Sequence, residues 1–172
     1  MPTDALPVPT VRRAGVRDAE QVAALWLRLM NEHHELDRRL PGVPPGTRLH
    51  LEHARRLLTG RDWHVWVAEE PLATTLLGFV AGSTRVPSPF MFTGNEAWIA
   101  DLYVTPEWRR RGVAGNLVRA LLRDFSLKQG ATVQLCAAAS NPAAVGFWRA
   151  QAFETVLHLM QLSRCGTEQQ EA

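Results

Sequence analysis

Apolar side chains recur along this chain at two spacings, and the switches between them mark out the elements. From Asp18 the spacing is helical. Val22, Leu25, Trp26, Leu29 and Met30 fall on one stripe, and Asp18 with Gln21 has capping-box spacing. Pro41-Gly-Val-Pro-Pro-Gly46 closes that region as a stiff loop. A second helix follows Thr47 as N-cap, with Leu51, Ala54, Leu57 and Leu58 inward. The pattern then becomes strand-like over Trp63 to Ala68 and Thr75 to Gly82, joined by a turn around Pro71, and again over Trp98 to Val104. Helical spacing returns from Val113 to Phe125 through Leu117, Val118, Leu121 and Leu122, and Gly130 marks the end of that region. Ala131 to Ala137 reads as a strand, Asn141 to Ala150 as a helix and Thr155 to Leu162 as a last strand. With a short opening strand near Val11, the order is β-α-α-β-β-β-α-β-α-β, an α/β (α+β) single domain with a mixed sheet.

Length and composition narrow the class. A chain of 172 residues, 46% apolar, suits one well-buried core and is short for two, so residues 1 to 172 are expected to form one domain with an ordered core from about 8 to 163. The net charge of +2 decides nothing about nucleic acid. The basic residues are dispersed outside Arg109 to Arg111, and no aromatic-basic platform is present, so no nucleic-acid partner is expected. Cys136 and Cys165 lie apart with no CxxC, which suits a reducing setting. The N-terminus lacks a signal-peptide pattern and no apolar run reaches membrane-spanning length, so a cytoplasmic protein without membrane association is expected.

Chemistry concentrates in Asp101-Leu-Tyr-Val-Thr-Pro-Glu-Trp-Arg-Arg-Arg-Gly-Val-Ala-Gly115, where a strand, a basic glycine turn and a helix follow one another. The amides of a first helical turn lack intrahelical partners and the helix dipole favours an anion there. Gly112 lets backbone approach a phosphate without a Cβ, and Arg109, Arg110 and Arg111 add charge. No Gly-Lys-Ser/Thr follows and no G-x-G-x-x-G is present, so neither a Walker loop nor a dinucleotide fingerprint is formed.

This turn resembles the acyl-CoA loop of the GNAT N-acetyltransferase superfamily, whose pattern Arg/Gln-x-x-Gly-x-Gly/Ala is matched by Arg109 to Ala114. Asn141-Pro-Ala-Ala144-Val-Gly-Phe147-Trp148-Arg-Ala-Gln-Ala-Phe153 is similar to the family's second signature, Asn-x-x-Ala-x-x-Phe-Tyr-x-x-x-Gly-Phe. Leu77-Gly78-Phe79-Val80 resembles its third strand, and Val11-Arg12-Arg13 with Asp18 its opening strand and helix. The resemblance spans Val11 to Leu162, with two departures: Trp148 for tyrosine and Ala152 for glycine.

The resemblance implies a GNAT fold with a mostly antiparallel central sheet and an acyl-CoA-dependent N-acyltransferase. It implies acetyl-CoA as cosubstrate and a primary amine of a small molecule or peptide as acceptor. The alternative is a non-catalytic acyl-CoA-binding or regulatory module. The implied cofactor-binding residues are Leu102, Tyr103, Val104, Arg109 to Gly115 (with Val113 and Ala114), Asn141, Ala144, Phe147 and Trp148. A backbone N–H at Val104 or Tyr103 is the implied donor to the thioester carbonyl. Few residues follow Phe153 before the polar tail, so any seventh strand is very short, absent, or supplied by a neighbouring subunit in a homodimer.

Acyl transfer to an amine needs a neutral nucleophile and, for the departing thiolate, a proton. The family's thiol donor is a tyrosine whose position holds Trp148, and an indole N–H donates without usefully ionising. Tyr103, the single tyrosine, is the substitute candidate. Glu96 and Asp101 are the candidate bases. Strand parity sets them on opposite faces unless a bulge intervenes, and it groups Glu96 with Trp98, Ala100 and Val104. Asp101 has the second reading of a buried, paired carboxylate. Asn141, ahead of Pro142, is both an expected N-cap and the implied pantetheine ligand. The pairs His33-His34 and His50-x-x-His53 lack zinc-site spacing, so no metal is expected. His34, Glu35 and Asp37 stand where the family contacts its acceptor. The Pro-rich loop Val86 to Phe92 offers Phe90, Met91 and Phe92 as an apolar wall or as core.

Overall fold

The computed structural model describes residues 8–44, 47–84, 96–127 and 131–162, with the Glu96 side chain excepted. Five strands form one sheet in the order β1-β2-β3-β4-β5, from β1 (Thr10–Arg13), β2 (Trp63–Glu69), β3 (Leu76–Ser83), β4 (Glu96–Val104) and β5 (Thr132–Leu135). The first four are antiparallel and β5 runs parallel to β4. Four helices accompany them, α1 (Ala19–Leu36), α2 (Leu49–Thr59), α3 (Val113–Asp124) and α4 (Pro142–Ala150). This is the mixed α/β architecture that the periodicities predict.

Helices cover both faces of the sheet. On one, Val22, Leu25 and Leu29 of α1 and Ala54 and Leu57 of α2 close on Val65, Val67, Phe79, Ala81 and Tyr103. On the other, Val113, Leu117, Val118 and Leu121 of α3 close on Ala68, Leu77, Val80, Ala97, Ile99 and Val104. Covered on both sides, β3 is apolar from Leu76 to Gly82 and wholly buried. Gly82 permits a close approach: a Cβ there would lie 2.6 Å from the Phe125 ring and 2.7 Å from the Trp98 carbonyl.

Three local expectations give way. Asp18 does not cap α1 with its side chain. Its carboxylate binds the Arg12 guanidinium at 2.8 and 2.9 Å and the Gly15 N–H at 2.8 Å, because an arginine on the adjacent strand outcompetes a neutral amide. Gln21 instead accepts from Leu76 N–H and donates to the Thr74 carbonyl, stitching α1 to the start of β3. Thr47 turns back to the Pro44 carbonyl, and α2 begins one residue later at an Arg48 N-cap.

The larger difference is at the C-terminus. Residues 155 to 162, read as a strand, form none, and their apolar side chains stand in solvent. An apolar run becomes a strand only by pairing with an edge, and among the described residues this run pairs with none.

Candidate functional site

The site begins where β4 leaves β5. The β4–β5 ladder runs from Glu96 and Thr132 to Ile99 and Leu135, while β4 continues to Val104 against β3 alone. The two parallel strands therefore diverge around Leu102 to Val104, leaving that stretch of β4 backbone facing a wedge instead of a neighbouring strand. A register shift between Ala81 and Gly82 accompanies the divergence: Ala81 pairs with Asp101 and Gly82 with Ile99, so Ala100 is the extra residue of a bulge.

The bulge overturns the parity argument for β4. Ala97, Ile99, Leu102 and Val104 all pack on the α3 face, although two are odd-numbered and two even. Asp101 and Tyr103 face α1 and α2. Even positions before Ala100 thus share a face with odd positions after it, so parity does not set Glu96 apart from Asp101. Glu96 pairs with Thr132 through its backbone, and its side chain lies outside the described residues. The Pro-rich loop Val86 to Phe92 also lies outside them.

After Val104 the chain turns through Pro106–Trp108 into the basic loop. Arg110 takes φ +62° and Gly112 φ +79°, two left-handed residues that bend the chain sharply into α3. The first backbone bond at this helix start joins Asn116 N–H to the Gly112 carbonyl, so the amides of Val113, Ala114 and Gly115 precede it at the helix mouth. A Cβ at Gly112 or Gly115 would meet nothing within 4 Å. This open helix mouth, with its unpaired amides, suits a phosphate group.

The three arginines are not equivalent. Arg111 lies over the Trp108 ring at 5.2 Å, and Arg110 is exposed. Arg109 turns away from the helix mouth. Its Nε donates to the Val104 carbonyl at 2.8 Å and its Nη2 to both oxygens of Glu32, at 2.9 and 2.7 Å. Tyr103 completes this group, donating its hydroxyl to Glu32 Oε1 at 2.7 Å beneath the Arg109 guanidinium. Burial first, and then the Glu32 hydrogen bond, push the Tyr103 pKa up to about 12. Its hydroxyl is therefore held protonated.

Glu32 had no place among the sequence candidates. The available signal was positional: Leu25, Leu29 and Glu32 continue one helical stripe, so a carboxylate stands where the pattern calls for an apolar residue.

Asp101 is buried and bridges both helices. It accepts from Trp26 Nε1 at 3.2 Å, and His53 Nε2 lies 3.2 Å from its other oxygen. Trp26 and His53 stack at 4.4 Å, and Arg56 Nη2 reaches His53 Nδ1 at 3.0 Å. Close by, burial lowers the pKa of His33, against the opposing pull of Asp101 and Glu32.

A cleft of about 400 Å³ opens beside Tyr103, lined by Arg28, Asn31, Glu32, Glu35, Pro106 and Glu107. Of the acceptor-side candidates, Glu35 is here. His34 Nδ1 instead contacts the Leu40 carbonyl, and Asp37 pairs with Arg39, which depresses its pKa strongly.

On the other side of the sheet, Asn141 Oδ1 accepts from Ala144 N–H at 3.0 Å, so it does cap α4. Trp148 is buried between Phe147 and Phe153, edge-on to each at 5.0 and 5.3 Å. Ala144 and Phe147 pack on the same cluster as Val113 and Ala114. Tyr103 and Trp148 therefore belong to opposite faces of the sheet. Among the described residues no three His, Cys, Asp or Glu side chains gather as metal ligands, and no helix is long and apolar enough to cross a membrane.

Comparison with known proteins agrees with this architecture. A family model described as "Acetyltransferase (GNAT) family" matches residues 26–153. No curated protein matches the chain. Among solved structures, a point mutant of the BH1408 protein from Bacillus halodurans superposes with a TM-score of 0.76 at 19% identity, covering 91% of this chain and 99% of that one. The aminoglycoside N-acetyltransferase AAC(6')-Iy, in complex with CoA, gives 0.68 at 16% identity over 95% and 99%. An aminoglycoside acetyltransferase from an uncultured soil metagenomic sample, in complex with sisomicin, gives 0.62 at 21% identity over 91% and 97%.

Proposed function

Because the chain belongs to the acetyltransferase (GNAT) family, we propose that it is an acyl-CoA-dependent N-acyltransferase. In this reading it moves an acetyl group from acetyl-CoA to a primary amine, by direct attack in a ternary complex. The observation that carries the reading is the left-handed turn at Arg110 and Gly112, which presents the first amides of α3 beside the open edge of β4. Those amides, with Arg110 and Arg111, hold the pyrophosphate. The β4 backbone at Leu102 and Val104 and the side chain of Asn141 hold the pantetheine arm. Bound there, acetyl-CoA supplies the thioester carbonyl. The backbone N–H of Val104 or Tyr103 then faces the oxygen that gains charge.

Arg109 acts as a brace between α1 and β4, setting the wedge at the width the cofactor needs. Tyr103, kept neutral, cannot serve as a base, and to protonate the departing sulfur it has to release the hydrogen bond that it donates to Glu32. Trp148 anchors α4 by packing. Asp101, with both oxygens engaged, positions α1 and α2 against β4, which leaves Glu96 and water as the route for the amine's proton.

The acceptor side favours a cation. With Glu32 paired to Arg109, Glu35 and Glu107 still outnumber Arg28 around the cleft, so an ammonium group is drawn in electrostatically before it is deprotonated. The aminoglycoside acetyltransferases among the structural neighbours support a polycationic small molecule as the first acceptor to try.

Trp148 in the family's tyrosine position favours a second reading, an acyl-CoA-binding module without turnover. Thiol release from acetyl-CoA with a panel of mono- and polyamines separates the two. Polyamines should raise release well above the amine-free background. Saturable acetyl-CoA binding with no amine-dependent release would establish the binding module instead.

A further inference from the structure

The open stretch of β4 lies toward β5, at one end of the sheet order. A separate cavity of about 490 Å³ lies toward the other end, where β1 and β2 meet the flank of α3. It has the size of a small-molecule site. Val11 and Trp66, partly packed on the α3 cluster, and Ala120 supply its apolar lining. Asn116, Arg119, Arg123 and Asp124 supply the polar one.

The charges in this cavity are unevenly matched. Asp124 is already engaged: Trp66 Nε1 donates to its Oδ2 at 3.0 Å, His64 Nδ1 lies 3.0 Å from the same oxygen, and Arg13 Nη1 reaches Oδ1 at 3.4 Å. Arg13 stands directly across from Trp66 in the β1–β2 ladder, which delivers it to that carboxylate. Burial by itself would raise the Asp124 pKa, but its contacts with His64, Trp66 and Arg13 outweigh burial and hold the group ionised.

Arg119 and Arg123 have no such partner. Arg119 donates to the neutral Asn116 amide oxygen at 3.0 Å, and among the described residues neither guanidinium pairs with a carboxylate. One helical turn apart on α3, the two like charges repel each other. A negative group between them removes that repulsion and meets paired N–H donors, the geometry that suits a carboxylate or a phosphate. A cation finds the reverse, since the one carboxylate is taken and three arginines stand near it.

Trp66 sets the rest of the ligand. Its N–H is used on Asp124, so what the half-buried indole adds to the cavity is ring surface, which a flat apolar body covers best. We propose that this cavity binds a small organic anion, with a flat apolar body against Trp66 and its carboxylate or phosphate held by Arg119 and Arg123. The site is separate from that of acetyl-CoA and does not rest on the acyltransferase reading.

Calorimetric titration of the full chain at fixed ionic strength tests this. Indole-3-acetate and phenyl phosphate are the probes, and indole-3-acetamide is the uncharged control. At least one anion should bind at one site per chain, about tenfold or more tighter than the amide, and the tighter of the two identifies the acidic group. Arg119→Gln/Arg123→Gln should weaken that anion by about tenfold or more and leave acetyl-CoA affinity unchanged. Both side chains are exposed, so the double variant keeps its core. Saturating acetyl-CoA should leave the anion bound. The proposal is overturned if neither anion binds, if the amide binds as tightly, or if the double variant binds as the wild type does. Displacement of the anion by acetyl-CoA would also overturn it, by assigning the two arginines to the nucleotide end of the cofactor.

Discussion

β3 and β5 belong to one sheet, yet every residue of β3 is buried and none of β5 is. β3 lies between α1 and α2 on one side and α3 on the other, and its side chains meet close-packed neighbours in both directions. Among the described residues β5 has one neighbouring strand, and their ladder ends at Ile99 and Leu135. α4, beside it, buries Trp148 and leaves Arg149 and Ala150 exposed. The centre of the sheet is thus a closely packed frame, and β5 with α4 forms a less buried wall. A site that must admit a long cofactor and an acceptor is best placed at such a boundary, since the frame fixes the geometry and the wall can yield. The basic turn at Arg110 to Gly112 stands at that boundary.

The contrast should break most clearly under truncation. Phe79, fully buried in the frame, should lose about 3–5 kcal/mol of stability as Phe79→Ala. Leu135→Ala in the half-buried wall should lose about 1 kcal/mol. Denaturant unfolding of the two variants checks this, and equal losses would mean that the wall is as tightly packed as the frame.

At the boundary, Gly112→Asp should weaken acetyl-CoA binding by at least about a hundredfold, or about 2.8 kcal/mol. It should do so without unfolding the protein, because the new Cβ meets no protein atom and aspartate tolerates the left-handed conformation better than most residues. Calorimetric titration measures the loss.

Within the frame, Tyr103 can be read directly because it is the chain's single tyrosine. Tyrosinate absorbance should titrate near 12 in the folded protein and near 10 in denaturant. The sign follows: the folded pKa is raised, so this contribution to stability is complete below about pH 10 and is lost as pH climbs toward 12. Glu32→Gln should bring the folded titration down, since a carboxylate that resists tyrosinate formation has gone.

The smallest effect belongs to the wall. Ala152 takes φ +65° at the end of α4, where its N–H bonds the Arg149 carbonyl and the Phe153 N–H bonds the Trp148 carbonyl. This is a Schellman ending with alanine in glycine's place, sealed by the Trp148–Phe153 contact. Ala152→Gly should stabilise the protein by about 1 kcal/mol, seen as a higher denaturation midpoint. No gain would mean that the wall relaxes around the strained residue.

The sequence made most of the frame legible, because burial on a helix stripe or a strand face leaves a period in the apolar residues. The stripe from Val22 to Met30 and the run from Leu76 to Ser83 are such traces. The basic turn before α3 was legible for a different reason, since left-handed backbone at a helix start calls for glycine. What the periodicities concealed was anything set by an irregularity. The Ala100 bulge inverts strand parity without leaving a mark in composition. The Glu32–Tyr103–Arg109 group joins residues distant in sequence, and a run that reads as a strand, 155 to 162, carries no information about whether an edge receives it.

Hydrogen exchange with and without acetyl-CoA tests the account at its centre. Protection should rise at residues 102–104 and 110–116 and at the start of α4, 141–148, while the β2–β3 frame stays unchanged. Protection gained elsewhere, with the amides of Val113, Ala114 and Gly115 exchanging as freely as before, would contradict the cofactor site placed between β4 and α3.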